Sequence, residues 1–200
     1  MANNEDNLMV WIDLETFGLT PDTGPVIEIG LAVSDLDLNI LGAKSWTFWS
    51  DMHDAALDNT SKLVLDMHKK SGLWEDAKRT GRLITDEKFE EESYFFLNHL
   101  GVRTPKKHPL CGSSLRMDRN FLDAYYVEFH EYFSYRSIDV SSVKELCRRF
   151  NPEVYSHLED DRRKDEAPHR VLGDIEASIR ELKFYQDNFM FVTLPVTEEV

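Results

Sequence analysis

Two hundred residues, 42% of them hydrophobic and 12% aromatic, give enough apolar chain for one packed domain and exclude a disordered or low-complexity protein. No apolar run in the sequence approaches the roughly 20 residues that cross a bilayer, so no membrane partner is expected. The net charge of −14 excludes binding to long nucleic acid through the general surface, because that affinity comes from many phosphate neutralisations, but leaves room for a short substrate or a locally contacted end.

Residues 1–7, MANNEDN, are polar and acidic and are expected to be flexible. They lack the basic flank and apolar stretch of a signal peptide. Cys111 and Cys147 show no C-x-x-C spacing, so two buried free thiols in a reducing cytoplasm are expected rather than zinc or a disulfide. Leu8–Ile12 has the apolar, β-branched and aromatic character of a buried strand. Asp13 and Glu15 follow it, before a turn at Gly18 and Pro21. Strand positions two apart share a face, roughly 6.6 Å apart along the strand. The two acids are either solvated where the strand ends or gathered around a divalent cation. Buried like charges repel, and hard oxygen ligands suit magnesium or manganese.

Val26–Val33 and Ile40–Trp49 read as second and third strands, joined by turn-rich connections into an antiparallel meander. Asp51 to Arg82 reads as helical in pieces, with a break at Ser71-Gly72. Thr85 to Leu100 reads as a helix with Phe89, Ser93, Phe96, Leu97 and Leu100 on one face. His108–Gly112 reads as a short buried strand. One helix follows it, with Asp118, Leu122, Tyr125 and Phe129 in a stripe. Arg136–Val140 is another strand, and Ser142 with Glu145 suggests a capping box. The helix so opened would place Val143, Leu146, Cys147 and Phe150 inward and end at Asn151-Pro152. The charged run from Leu158 to Glu166 reads as an exposed mobile loop. A last helix from Pro168 to about Phe189 has Leu172, Ile175, Ile179 and Leu182 as its core stripe, and residues 191–200 read as a flexible tail. Strands first, then strands alternating with helices, predict an α/β fold: a mixed sheet flanked by helices, in a single domain over 8–190. Phe121, Tyr125, Tyr126, Phe129, Tyr132, Phe133 and Tyr135 exceed what one helix face buries, which predicts an interface.

Asp118 opens the mid-chain helix. Asp174 lies in the first turns of the last helix, five residues after His169. Singly, the helix macrodipole explains both acids. The order of the five residues resembles the DEDD exonucleases of the histidine subclass. Hydrolysis of a phosphodiester needs an activated water and charge relief on the leaving oxygen, which two divalent ions about 4 Å apart supply. Four carboxylates roughly balance two such ions, and a histidine takes the proton.

From Leu8 to about Phe189 the chain resembles the oligoribonuclease family. The matches are WIDLE, GL-x-P, VIEI, LNIL, SGL at Ser71–Leu73, CG-x-S at Cys111–Ser114, DRNFLDAYY, YRSIDVSSVKELCRRF and H-x(4)-D-I-x-x-S-I-x-E-L-x-x-Y. The resemblance implies an RNase H-like five-stranded sheet and 3′-to-5′ hydrolysis of very short RNA, dinucleotides and linear pGpG included, to nucleoside 5′-monophosphates. It implies two magnesium or manganese ions held by Asp13, Glu15, Asp118 and Asp174, with His169 as general base. It implies substrate contacts from Leu19 as a wedge, from His68 near the scissile end, and from Ser114, Tyr135, Arg136 and Ser141. The last three would come from the partner in a homodimer. Leu63, Phe17, Gly173 and Ser113 depart from the family pattern, which bears on substrate preference. The rival readings are a DEDD exonuclease trimming or proofreading longer DNA or RNA ends, and a silent dinucleotide-binding module.

Overall fold

A computed structural model describes residues 5–162 and 170–190. It begins with a 3-10 turn, Glu5–Asn7, rather than at Leu8. Glu5 accepts hydrogen bonds from the main-chain N–H groups of Arg103 and Thr104, each at 2.7 Å. The flexibility expected of residues 1–4 and 191–200 concerns segments outside the described residues.

The sheet has five strands in the order β3-β2-β1-β4-β5. These are β1 (Met9–Thr16), β2 (Val26–Ser34), β3 (Ile40–Thr47), β4 (Leu110–Gly112) and β5 (Ser137–Asp139). The first three form the expected antiparallel meander, and β4 and β5 add in parallel beside β1. Side chains alternate faces along β1. Val10, Ile12 and Leu14 join a core with Phe89 of α4 (Asp86–His99) and Phe121 and Leu122 of α5 (Arg116–Tyr125). Trp11 joins the opposite core with Ile175 and Ile179 of α9 (Val171–Tyr185). Asp13 and Glu15 share Trp11's face and so point toward α9.

The strand carries both acids to its end at Thr16. Asp13 pairs with Gly30 in register, and Glu15 with Glu28. A Cβ on Gly30 would sit 2.7 Å from Val171 Cγ2, so the missing side chain lets α9 lie close against β2 beside Asp13. A bulge between Glu15 and Thr16 ends the regular register there.

The stretch between β3 and α4 is three helices, α1 (Asp51–Leu57), α2 (Lys62–Lys70) and α3 (Leu73–Thr80), with the break at Ser71-Gly72 as expected. Four expectations need correction. The stripe from Asp118 to Phe129 is not one helix: Tyr126, at φ −138 and ψ 55, separates α5 from α6 (Val127–Glu131). Ser142 and Glu145 do not cap α7 (Val140–Phe150); Asp139 does, accepting from Ser141 N–H at 2.9 Å. The inward face is Val140 and Cys147, with Val143 partly buried against the same core as expected, while Leu146 and Phe150 are exposed. Residues 158–162 are helical, within α8 (Pro152–Arg162), rather than loop. Asn151 both ends α7 and accepts from Val154 N–H to start α8, with Pro152 tolerated in the first turn.

The aromatic excess in 121–135 is absorbed inside the chain. Phe121, Tyr126, Phe129 and Phe133 are buried. The hydroxyls of Tyr125 and Tyr132 donate to the carbonyls of Pro21 and Val102. Only Tyr135 of that set is exposed, at 84%. Cys111 and Cys147 are free and buried, as expected. Among the described residues, no helix is long and apolar enough to cross a membrane.

Candidate active site

Asp13 and Glu15 leave β1 on the same face, and Asp174 meets them from the first turn of α9. The three offer carboxylate oxygens that all lie within 4.8 Å of one another. Asp174 is placed by helix geometry: its N–H donates to the Arg170 carbonyl at 3.0 Å, the first turn of α9. Asp118 reaches the same strand from the other side. β4 pairs with β1 only as far as Trp11, and Leu14 N–H beyond it donates to Asp118 Oδ1 at 3.0 Å.

Burial and crowding disfavour the charged forms of these acids. Burial, then the charges of Asp118, Asp174 and Glu15, push Asp13 well above the usual carboxylate range. Burial, followed by Asp174 and Glu28, pushes Glu15 up to about 8, against the opposing charge of Arg170. Burial pushes Asp118 up to about 7 although the Leu14 N–H favours its ionised form. Converging buried carboxylates that repel one another fit a divalent cation: they are hard oxygen donors, and a cation removes both the repulsion and the desolvation cost.

The neighbouring arginine does not neutralise this group. Arg170 forks onto buried Glu28, Nε and Nη2 donating at 2.9 Å each, and its Nη1 donates to Asp76 Oδ2 at 2.9 Å. The bridge fastens the start of α9 to β2 and α3. The sequence reading missed it, although an acid inside the apolar run VIEIG was a visible sign that a counter-charge was needed.

The residues expected to contact substrate fall into four groups. Leu19 projects from the turn after β1, 77% exposed. His68 is fully buried; its Nε2 lies 3.0 Å from the Thr16 carbonyl and its Nδ1 3.7 Å from Glu15 Oε2, so it backs Glu15 from inside. Ser114 and Ser141 lie side by side in one chain. Ser114 N–H donates to Asp139 Oδ1 at 3.0 Å and to Ser141 Oγ at 3.2 Å, and Ser141 Oγ donates to Asp139 Oδ1 at 2.6 Å. Within one chain, then, Ser114 and Ser141 are neighbours around the same carboxylate. Asp139, also missed, organises this corner. Tyr135 and Arg136 stand exposed together, the guanidinium 5.3 Å from the ring centroid. His169 lies outside the described residues.

The departures have visible settings. Phe17 is buried against Trp74 and His53. Ser113 Oγ meets Ser178 Oγ at 2.9 Å. Leu63 is 79% exposed, and a Cβ on Gly173 would touch nothing within 4 Å.

The sequence profile of the RNase_T exonuclease family matches residues 10–182. The mitochondrial oligoribonuclease of Homo sapiens is 41% identical over 181 residues, covering 90% of this chain and 72% of that one. The oligoribonuclease of Aromatoleum aromaticum is 36% identical over 191 residues, covering 95% and 98%. The chain belongs to the oligoribonuclease family. As a member it is a 3′-to-5′ exoribonuclease acting on short RNA. Among solved structures, exonuclease I is similar at TM-score 0.65 and 16% identity, covering 90% of this chain and 41% of that one. A zinc-bound complex of E. coli exonuclease I with single-stranded DNA is similar at TM-score 0.64 and 15% identity, covering 90% and 40%. At that identity the likeness establishes the fold, an RNase H-like sheet flanked by helices, and this chain spans about 40% of those proteins' length.

Proposed function

We propose that this oligoribonuclease-family enzyme hydrolyses very short RNA, with dinucleotides and linear pGpG among its substrates, to nucleoside 5′-monophosphates. The observation that carries this reading is the convergence of Asp13, Glu15 and Asp174 within 4.8 Å, with Asp118 tied to the strand between the first two. Asp13, Glu15 and Asp174 would hold one magnesium or manganese ion, and Asp13, with Asp118 directly or through water, would hold a second. The chemistry of the donor set supports this, as does the zinc in the exonuclease I complex. Such ions, when bound, supply an activated water and charge relief at the leaving oxygen. His169 accepts the proton from the water that attacks phosphorus. The bond to the 3′ oxygen of the preceding nucleotide breaks, and the released nucleotide keeps the phosphate on its 5′ oxygen.

Leu19 wedges against the bases, and His68 acts at the scissile end through Glu15. Ser114 and Ser141 present hydroxyls toward the 5′ phosphate, while Tyr135 stacks on a base and Arg136 forks onto phosphate. Tyr135 and Arg136 serve the site of a second copy in a homodimer. Their joint exposure supports this, as do the exposed Leu146 and Phe150 on α7. The net charge of −14 suits an end pocket rather than a long groove. Residues 8–190 act as a single exonuclease domain, and the two free buried thiols suit the cytoplasm.

The test is turnover of end-labelled RNAs of two to twenty nucleotides, with and without magnesium. Turnover is expected to be highest on the dinucleotide and absent without the metal. Highest turnover on the twenty-mer would instead mark an exonuclease of longer ends.

A further inference from the structure

Asp118 and Arg119 are adjacent on α5 and face different tasks. Asp118 turns in to Leu14. Arg119 turns to the segment between α6 and β5 and takes hold of both its sides. Its Nη2 donates to the carbonyls of Ser134 at 2.9 Å and of Arg136 at 2.8 Å. Its Nε donates to Ser137 Oγ at 2.8 Å, and its Nη1 lies 3.0 Å from His130 Nε2. The grip thus encloses Tyr135 and Arg136. Ser134 is fixed again from behind, its N–H donating to the His108 carbonyl at 2.8 Å.

We propose that Arg119 is a positioning residue for substrate: it fixes the main chain of residues 134–137 so that Tyr135 and Arg136 are presented outward in one set geometry. The proposal rests on the reading that those two side chains contact substrate. The segment turns its backbone inward onto one guanidinium and sends both side chains into solvent. Turn anchoring alone does not require a large aromatic at 84% exposure. A fixed segment avoids the entropy cost of ordering a stacking residue at each binding event. Only arginine has the planar fork for such a set of acceptors; a lysine ammonium is a single point. Among the described residues, no carboxylate pairs with Arg119, so its charge adds to that of Arg136 on the side where a phosphate would arrive.

The test uses the full-length protein with Arg119→Met and Arg119→Lys, a 5′-phosphorylated dinucleotide, and manganese binding by calorimetry. Both variants are expected to raise KM on the order of 10- to 100-fold, with kcat within about twofold and manganese affinity unchanged. A merely structural role would lower the active fraction, hence kcat, and leave KM alone; that result overturns the proposal. Ser137→Ala, which removes one acceptor at the surface, is expected to raise KM in the same direction and decides the matter if the arginine variants do not fold.

Subunit mixing separates this proposal from the dimer reading beneath it. With substrate far below KM, mixing Asp13→Ala with Tyr135→Ala is expected to restore roughly a quarter of wild-type activity. Half the dimers are then mixed, and each mixed dimer has one intact site. Asp13→Ala mixed with Arg119→Met is expected to recover equally. Recovery in the first mixture alone would place the Arg119 defect in its own chain's site and overturn the proposal. Failure of the first mixture removes the dimer, while the KM measurement still judges Arg119.

Discussion

Asp118 is hydrogen-bonded to the main chain of Leu14, the residue between Asp13 and Glu15. The fourth acid is therefore tied to the strand that carries the first two. Asp118→Asn keeps an oxygen for the Leu14 N–H but loses the charge. It is expected to fold normally, to melt no lower than wild type in metal-free buffer, and to lose on the order of 10²-fold or more in rate. Asp118→Ala also leaves a buried N–H unpaired, which costs about 1–3 kcal/mol. Parallel melts and initial rates check both; an Asn variant at wild-type rate would remove Asp118 from the site.

Protons and a divalent cation compete for the same oxygens. Glu15 and Asp118 titrate near 8 and 7 in the folded protein, and Asp13 is raised as well. Raised carboxylates bind more protons folded than unfolded, so they lower metal-free stability as pH rises from the ordinary carboxylate range toward 8. A cation binds the deprotonated acids and reverses this. The rise in Tm on adding manganese is therefore expected to be larger at pH 8.5 than at pH 6. Equal shifts at both pH values would mean that the acids are already ionised at pH 6.

Gly30 sets how closely α9 approaches the sheet. Gly30→Ala would drive a Cβ to within 2.7 Å of Val171 Cγ2 and 3.1 Å of Ile175 Cδ1. Overpacking of this kind costs about 1–3 kcal/mol. Because Asp174 rides on α9, manganese affinity should fall together with stability. Weaker stability with unchanged affinity, measured by denaturant titration and calorimetry, would show that the helix shifts without moving Asp174.

Arg170 and Glu28 are predicted to be a coupled pair. Arg170→Ala leaves the Glu28 charge buried without its fork, a loss of about 3–5 kcal/mol. Adding Glu28→Gln should recover much of it. A double-mutant cycle in urea reads the coupling, and additive losses would refute it.

In the proposed mechanism His169 acts on a proton rather than on the metal. His169→Ala should retain manganese affinity and lose about 10²- to 10⁴-fold in rate. The acid limb of the wild-type rate profile should vanish in the variant. A wild-type rate with an unchanged profile would assign the base elsewhere.

The converging acids were legible because each obeys a local rule. Asp13 and Glu15 follow strand alternation, and Asp174 sits in a helix's first turn. What escaped the sequence depends on who meets whom across the fold. Asp139 could have been any exposed acid; only the arrival of Ser114 and Ser141 makes it a hub. The helix break at Tyr126 has no glycine or proline to announce it; the ring is buried there against Phe48 and Phe89. The crowded aromatics were over-read for the same reason: the sheet and α4 supplied inner surface for all but Tyr135, which alone of that set stands exposed.

The acids come from opposite ends of the chain order. A ribosome delivers Asp13 and Glu15 early, Asp118 midway and Asp174 only with α9, the last of the helices named above. During synthesis the growing polypeptide holds the first two without their third companion. With the acids in the proposed roles, an enzyme that consumes RNA fragments would be made without cutting power until α9 docks against Gly30. A ribosome-bound chain halted before Val171 should be silent toward a dinucleotide, and the same chain extended through Tyr185 and clear of the exit tunnel should become active once an Asp13→Ala copy is added to supply Tyr135 and Arg136.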